Sequence, residues 1–267
     1  MPIESIGGVR LHVQALGHRG SQVFLVHGMT TSLASFYFTI APPLAEAHRV
    51  LMYDLRGHGR SEAVRTGYGV RSMAGDLAGV IDRFGDDDPV DVVGHSFGAA
   101  VAMRYAIDHP ARVRRLVFSE GPLPVFLPDD DDEFPGAIDP ERIRSEVQGV
   151  ADAALRDLPE DVRRALAGKG RRVRRTSSRA TVLFNQTSLM ADLEKDNDIS
   201  DAEIASLRVP IMLCYGTRTL PPMAATLTRL RAVLPQARVR MFDSGHLMLN
   251  EQAGPVAGAI LEFLADA

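Results

Sequence analysis

The chain has 267 residues and a formal net charge of −4, a length that suits one α/β core carrying an insertion. So small a charge excludes partners chosen by bulk electrostatics, namely nucleic acid and an anionic membrane surface. A single cysteine, Cys214, excludes a disulfide framework or a cysteine-based metal site and reads as a buried core thiol.

Ile3–Ile6 and Arg10–Ala15 flank Gly7-Gly8 and read as an antiparallel hairpin at a sheet edge. The segment that holds them, MPIESIGGVRLHV, has neither a basic stretch nor a long apolar core of the kind that directs secretion, so a cytoplasmic setting is expected. No apolar run reaches membrane-spanning length. Val23–Val26 is continuously apolar, as in a strand covered on both faces, and ends in His27-Gly28-Met29-Thr30. Ser32–Ala47 has helical character interrupted by Pro42-Pro43. Arg49–Tyr53 is a strand leading into Asp54-Leu55-Arg56-Gly57-His58-Gly59-Arg60-Ser61, and Val70–Phe84 carries apolar residues at helical spacing.

The next segment, VDVVGHSFGAA at Val90–Ala100, is the one around which the rest is arranged. Its apolar run enters Gly94-His95-Ser96-Phe97-Gly98, a G-x-S-x-G pattern between a strand and a helix. In such a turn the central serine is strained and exposed, and the following helix presents its free N–H groups to negative charge. The pentapeptide alone also fits a glycine-rich turn whose serine caps the helix. Phe97–Asp108 is a helix and Val113–Ser119 a strand that closes at Glu120-Gly121-Pro122.

There the alternation stops. Residues 123–207 hold an acidic, proline-rich loop over Pro128–Pro135, a helical segment near Pro140–Leu155, and a basic run. They read as a helical lid between a first core part, 1–122, and a second, 208–267. In the second part Pro210–Tyr215 and Arg238–Phe242 are strands, and Pro222–Leu234 and Glu251–Leu264 are helices. Strands alternating with helices predict an α/β fold with a mostly parallel sheet covered on both faces. Sites in such sheets lie at the carboxyl ends of the strands. That rule gathers His27-Gly28, Asp54, Ser96, Glu120, the loop after Tyr215 and the loop of His246.

With these elements in order, the chain resembles the α/β-hydrolase superfamily. The resemblance rests on His27-Gly28 after an apolar strand, Asp54-x-Arg56-Gly57-His58-Gly59-x-Ser61, the Gly94–Gly98 turn, His109-Pro110-x-Arg112-Val113, and Ser244-Gly245-His246. It covers nearly the whole chain outside the lid. It implies Ser96 as nucleophile and His246 as the general base that takes its proton. Among the eight histidines, His12 is expected away from the carboxyl edge, and His95 beside the nucleophile with its ring directed elsewhere. The oxyanion hole is expected from the backbone N–H groups of Met29 and Phe97.

One departure concerns the acid. The family usually carries it in a G-x-x-D setting after the strand equivalent to Pro210–Tyr215, where this chain has Gly216-Thr217-Arg218-Thr219. A hydroxyl cannot balance an imidazolium. Asp243 is too near His246 in sequence, Asp192, Asp196 and Asp198 belong to the lid, and Asp54 fits a structural turn. Glu120 stands at the alternative acid position of haloalkane-dehalogenase-like and some lactonase-like members, and the resemblance assigns it the role. The competing account is a structural pairing of Glu120 with an arginine at the lid hinge.

The function implied is a serine hydrolase cleaving a carboxylic ester, lactone or thioester of a small, largely apolar molecule. The alternatives are elimination or C–C bond cleavage by the same residues, and a non-catalytic ligand receptor. His27, Gly28, Phe126, Phe184 and Met190 are candidate pocket residues, and core packing is the competing account of the lid side chains. The Arg171–Arg175 run fits an acyl carrier protein or a solvated helix face. No cofactor and no metal are expected, since Asp129–Asp132 lacks the spacing of a calcium loop. Oligomeric state leaves no mark in the sequence.

Overall fold

A computed structural model describes residues 3–125 and 182–266. Eight strands form one sheet in the order β1-β2-β4-β3-β5-β6-β7-β8. They are β1 (Ile3–Ile6), β2 (Val9–Leu16), β3 (Gln22–Val26), β4 (Arg49–Tyr53), β5 (Val90–His95), β6 (Val113–Ser119), β7 (Ile211–Gly216) and β8 (Arg238–Phe242). The β1–β2 and β2–β4 pairs are antiparallel, and every pair from β4 to β8 is parallel.

Alternate residues of the central strands enter two separate apolar layers, because successive side chains point to opposite faces. Phe24, Val26, Val92 and Phe118 join one layer, while Val23, Leu25, Val93 and Val117 join the other. The first layer is closed by α3 (Val70–Phe84), by α4 (Phe97–Asp108), and later in the chain by Leu230 of a helix over Pro221–Val233. The second is closed by the short helices α1 (Ala34–Tyr37) and α2 (Ala41–Ala45) and by Val256, Ile260 and Phe263 of the C-terminal helix. All five residues of β3 are buried, which is why its sequence is apolar without alternation.

Two helical expectations change. Ser32–Ala47 forms two short helices with Pro42 and Pro43 in the first turn of α2, where a missing N–H interrupts no helical bond. The last helical stretch divides into Met248–Glu251 and Ala253–Ala265 at Gln252, whose φ of −134° leaves the helical range.

Of the expected lid, Pro128–Pro135, Pro140–Leu155, the acidic run, the Arg171–Arg175 run and Phe126 lie outside the described residues. The described portion, 182–207, includes α5 (Leu189–Lys195) and α6 (Asp201–Ala205). Its Leu183, Leu189, Leu193 and Ile204 are buried in the same layer as α3 and α4. Polar contacts pin it as well. Asp192 accepts from the N–H groups of Gly67 and Tyr68, and Arg229 reaches Asp198, Asp201 and the Ile199 carbonyl. Among the described residues no helix is long and apolar enough to cross a membrane.

Candidate active site

The carboxyl end of β5 passes into α4 through Ser96, whose φ of 56° is the left-handed region that a non-glycine residue rarely adopts. The turn closes because its glycines lack side chains. A Cβ at Gly94 would overlap the backbone of Gly98 and Ala99, and one at Gly98 would overlap the Val26 carbonyl. Gly28 faces the serine directly, and a Cβ there would lie 2.8 Å from Ser96 Cβ.

Across this turn the loop after β8 brings up His246. Its Nε2 lies 3.1 Å from Ser96 Oγ and its Nδ1 lies 3.1 Å from Glu120 Oε2. The carboxylate can only accept, so Nδ1 carries the proton and Nε2 is left to accept from the serine hydroxyl. Glu120 is fully buried, follows β6 and has a φ of 49°. A buried carboxylate must have its lone pairs filled. Gly216 N–H donates to Oε1 at 2.7 Å and Thr219 Oγ1 donates to Oε2 at 2.6 Å. The structure therefore brings Ser96, His246 and Glu120 into one hydrogen-bonded line. An imidazole held this way can take a proton from the hydroxyl and return it to a leaving group.

Phe97 is the first residue of α4, so its N–H has no carbonyl to meet within the helix. Met29 is half-buried against the first apolar layer, and its N–H makes no backbone hydrogen bond to a described residue. The ring of His27, expected in the pocket, is fully buried. Its Nε2 accepts the Leu55 N–H at 3.0 Å and its Nδ1 donates to the Gly28 carbonyl at 2.7 Å. Both nitrogens are thus committed, the ring is held neutral, and burial lowers its proton affinity. Phe184 is half-buried against the first layer, and Met190 is half-buried at the start of α5.

Two other histidines depart from expectation. His12 lies at the carboxyl edge with Nδ1 2.8 Å from Asp54 Oδ2. The reason is directional, since β2 runs antiparallel and begins where its parallel neighbours end. His95 turns toward the site. Its Nε2 donates to the His246 carbonyl at 3.2 Å, and the two ring centroids are 5.3 Å apart. Burial, and then the nearby His246, push its pKa down to about 3.

The other carboxylates weighed as acids are engaged elsewhere. Asp54 accepts from Leu33 and Arg60 N–H groups at 2.8 Å, and Asp196 accepts from Arg71 N–H at 2.7 Å. Asp243 is bound by Arg218, which also reaches Glu251 at 3.1 Å. Sequence reasoning found no use for Arg218. The structure makes it a brace across the His246 loop, and the acidic residues on both sides of that histidine were the available signal. Thr219, whose hydroxyl cannot serve as the acid, is instead a donor to one. Among the described residues no group of three or more His, Cys, Asp or Glu side chains is arranged to hold a metal.

With this geometry in hand, the comparisons with known proteins agree on the fold. The alpha/beta hydrolase fold family matches residues 22–253. A 2-hydroxy-6-oxo-2,4-heptadienoate hydrolase from Pseudomonas putida is 38% identical over 114 residues, 42% of this chain and 41% of that protein. The chain thus spans well under two thirds of that relative, and its matches to two others, an acetyltransferase component from Cupriavidus necator and epoxide hydrolase B from Mycobacterium tuberculosis, cover 28% and 32% of theirs. A longer match is the lipase LipV of Mycobacterium tuberculosis, 30% identical over 84% of this chain and 79% of that protein. Among solved structures, the enol-lactonase of Burkholderia xenovorans superposes with a TM-score of 0.73 at 21% identity, covering 99% of this chain and 100% of that one. A strained serine between β5 and α4, a sheet of this order and a match across most of the sequence lead to one assignment: the chain belongs to the α/β-hydrolase fold family.

Proposed function

We propose that the protein is a serine hydrolase of a carboxylic ester, lactone or thioester of a small, largely apolar molecule. The observation that carries the reading is the line from Glu120 through His246 to Ser96, with 3.1 Å on each side of the imidazole. Ser96 Oγ attacks the substrate carbonyl as its proton passes to His246 Nε2. The N–H groups of Met29 and Phe97 receive the developing oxyanion. The tetrahedral adduct collapses, the leaving group takes the proton from Nε2, and an acyl-enzyme remains on Ser96. Water then attacks that ester, delivering its proton to Nε2, and Ser96 is released with the acid product. Glu120 keeps the Nδ1–H tautomer and balances the imidazolium at each stage. Substrate choice is assigned to the insertion at 123–207, with Phe184 and Met190 as its candidates among the described residues.

The test is covalent. A fluorophosphonate should label Ser96 alone, and Ser96→Ala should lose labelling and at least ~10³-fold of turnover on the best of a series of p-nitrophenyl esters, lactones and acyl thioesters. Unchanged turnover in Ser96→Ala rejects the covalent mechanism.

A second reading is favoured by one comparison. A 2-hydroxy-6-oxo-dienoate, the compound in the Pseudomonas putida relative's name, has a ketone and a carboxylate but no ester. Hydrolysis of such a compound has to break a C–C bond. The same three residues would serve it, and an assay following consumption of that dienoate beside the ester series separates the two.

A further inference from the structure

Glu120 has a longer side chain than the aspartate of the usual G-x-x-D setting, hence one more torsion to fix before it can hold an imidazole. The structure shows what fixes it. Gly216 and Thr219 are the first and last residues of that four-residue setting, and both donate to the carboxylate. Gly216 N–H takes Oε1 at 2.7 Å and Thr219 Oγ1 takes Oε2 at 2.6 Å. Oε2 is also the oxygen that meets His246 Nδ1 at 3.1 Å. Donors on both oxygens set the plane of the carboxylate, and one of them competes with the imidazole for the same lone pairs.

We infer that Thr219 is a positioning residue for the Glu120–His246 pair: its hydroxyl aims the carboxylate and moderates the charge that Oε2 presents to Nδ1. This role rests on the serine-hydrolase reading above. The loop after β7 does not supply the acid in this chain. It grips an acid supplied by the neighbouring strand.

The hydroxyl has a consequence that a loop-building residue would lack. With it removed, charge concentrates on Oε2, an imidazolium at His246 is better stabilised, and the carboxyl itself becomes easier to protonate. Both effects move the acid limb of a rate profile to higher pH. The other groups facing the pair stay unchanged by a substitution at 219. They are His95 at the end of β5, Arg218 and Asp243 on the flanking loops, Glu251 at the end of the Met248–Glu251 helix, and Tyr215, whose hydroxyl donates to the Gly121 carbonyl.

The experiment measures the second-order rate constant of fluorophosphonate labelling against pH, with the melting temperature of each variant alongside. Thr219→Val should lower the plateau about tenfold and raise the acid midpoint by about half a pH unit. Thr219→Ser should stay within about twofold of wild type with the midpoint unmoved. Should Thr219→Val fail to fold, Thr219→Ala carries the same comparison, and if neither folds the hydroxyl is a folding requirement and the positioning role is rejected. Unchanged plateau and midpoint in Thr219→Val, whatever its melting temperature, overturn the role of Thr219 while leaving Ser96 chemistry standing. No labelling of Ser96 in the wild type overturns the reading of the site and this role with it.

Discussion

His95 occupies the variable position between Gly94 and Ser96, and its ring ties the nucleophile's turn to the backbone of the base. Held neutral by burial and by the neighbouring imidazole, with its pKa pushed down to about 3, it keeps one N–H to give. That N–H goes from Nε2 to the His246 carbonyl at 3.2 Å. The loop of His246 has a second brace in Arg218, which binds Asp243 before the histidine and Glu251 after it. Positions that hold a reacting geometry through another residue show up in kcat rather than in KM. We therefore expect His95→Phe, which keeps a ring but loses the donor, to lower kcat about tenfold with KM unchanged on a p-nitrophenyl ester. His95→Gln retains an N–H of similar reach and should stay within about threefold. Equal kcat in His95→Phe and wild type would remove His95 from the machinery.

Between elements, the register of β6 on β7 decides where the acid comes from. Ser119 pairs with Cys214, and Glu120 N–H continues the ladder to the Cys214 carbonyl at 2.9 Å. Glu120 thereby arrives beside Gly216, and its side chain meets the Thr219 hydroxyl. Two neighbouring strands thus converge on one oxygen, β6 supplying Glu120 Oε2 and the loop after β7 donating to it from Thr219. Glu120→Gln should lower labelling of Ser96 by orders of magnitude, since the amide cannot balance an imidazolium. Adding Thr219→Asp to it should restore about tenfold or more of that rate. A double variant no faster than Glu120→Gln alone would show that the β7 loop cannot present an acid here. The same register explains how much was legible in the sequence. β3 and β4 announce themselves because strands buried on both faces leave unbroken apolar runs, β5 and β6 keep shorter runs after Asp91 and Arg115, and Val70–Phe84 and Phe97–Asp108 have the bounds their spacing predicts. The serine turn is legible as a short local pattern, with Gly94 forced by the backbone of Gly98 and Ala99 within the turn and Gly98 by the Val26 carbonyl of β3. The rings of His12 and His95 were misplaced because their partners, Asp54 and His246, lie 42 and 151 residues away. Thr219 was passed over for a similar reason: a hydroxyl's value as a donor depends on a carboxylate that only strand pairing delivers.

At the scale of the molecule, neutral histidines weigh on one side of a pH balance and bonded carboxylates on the other. Burial leads in lowering the proton affinity of His27, His48 and His95 below the ordinary 6.5. For each of them the unfolded chain binds more protons than the native one below that value. Their contribution to stability is therefore complete above about pH 6.5 and is lost as pH falls beneath it. Glu203 acts in a lower window. The Ser200 hydroxyl, then Arg104 at 2.7 Å, hold its carboxyl down to about 2, where α6 is closed by a reciprocal cap between Ser200 and Glu203. Its contribution is present above the ordinary 4.5 and disappears as pH falls toward 2. Melting temperature measured from pH 8 to pH 3 should accordingly fall in two stages, one beginning near 6.5 and one beginning near 4.5. Glu203→Gln should lower it by about 2–4 °C at pH 7, with the gap to wild type narrowing only below pH 4.5. His95→Gln should leave the lower stage intact and flatten the upper one. A melting temperature constant between pH 7 and pH 5 would mean that these histidines reach solvent in the native state, and a Glu203→Gln gap that narrows already at pH 6 would place the cap's contribution on some other titration.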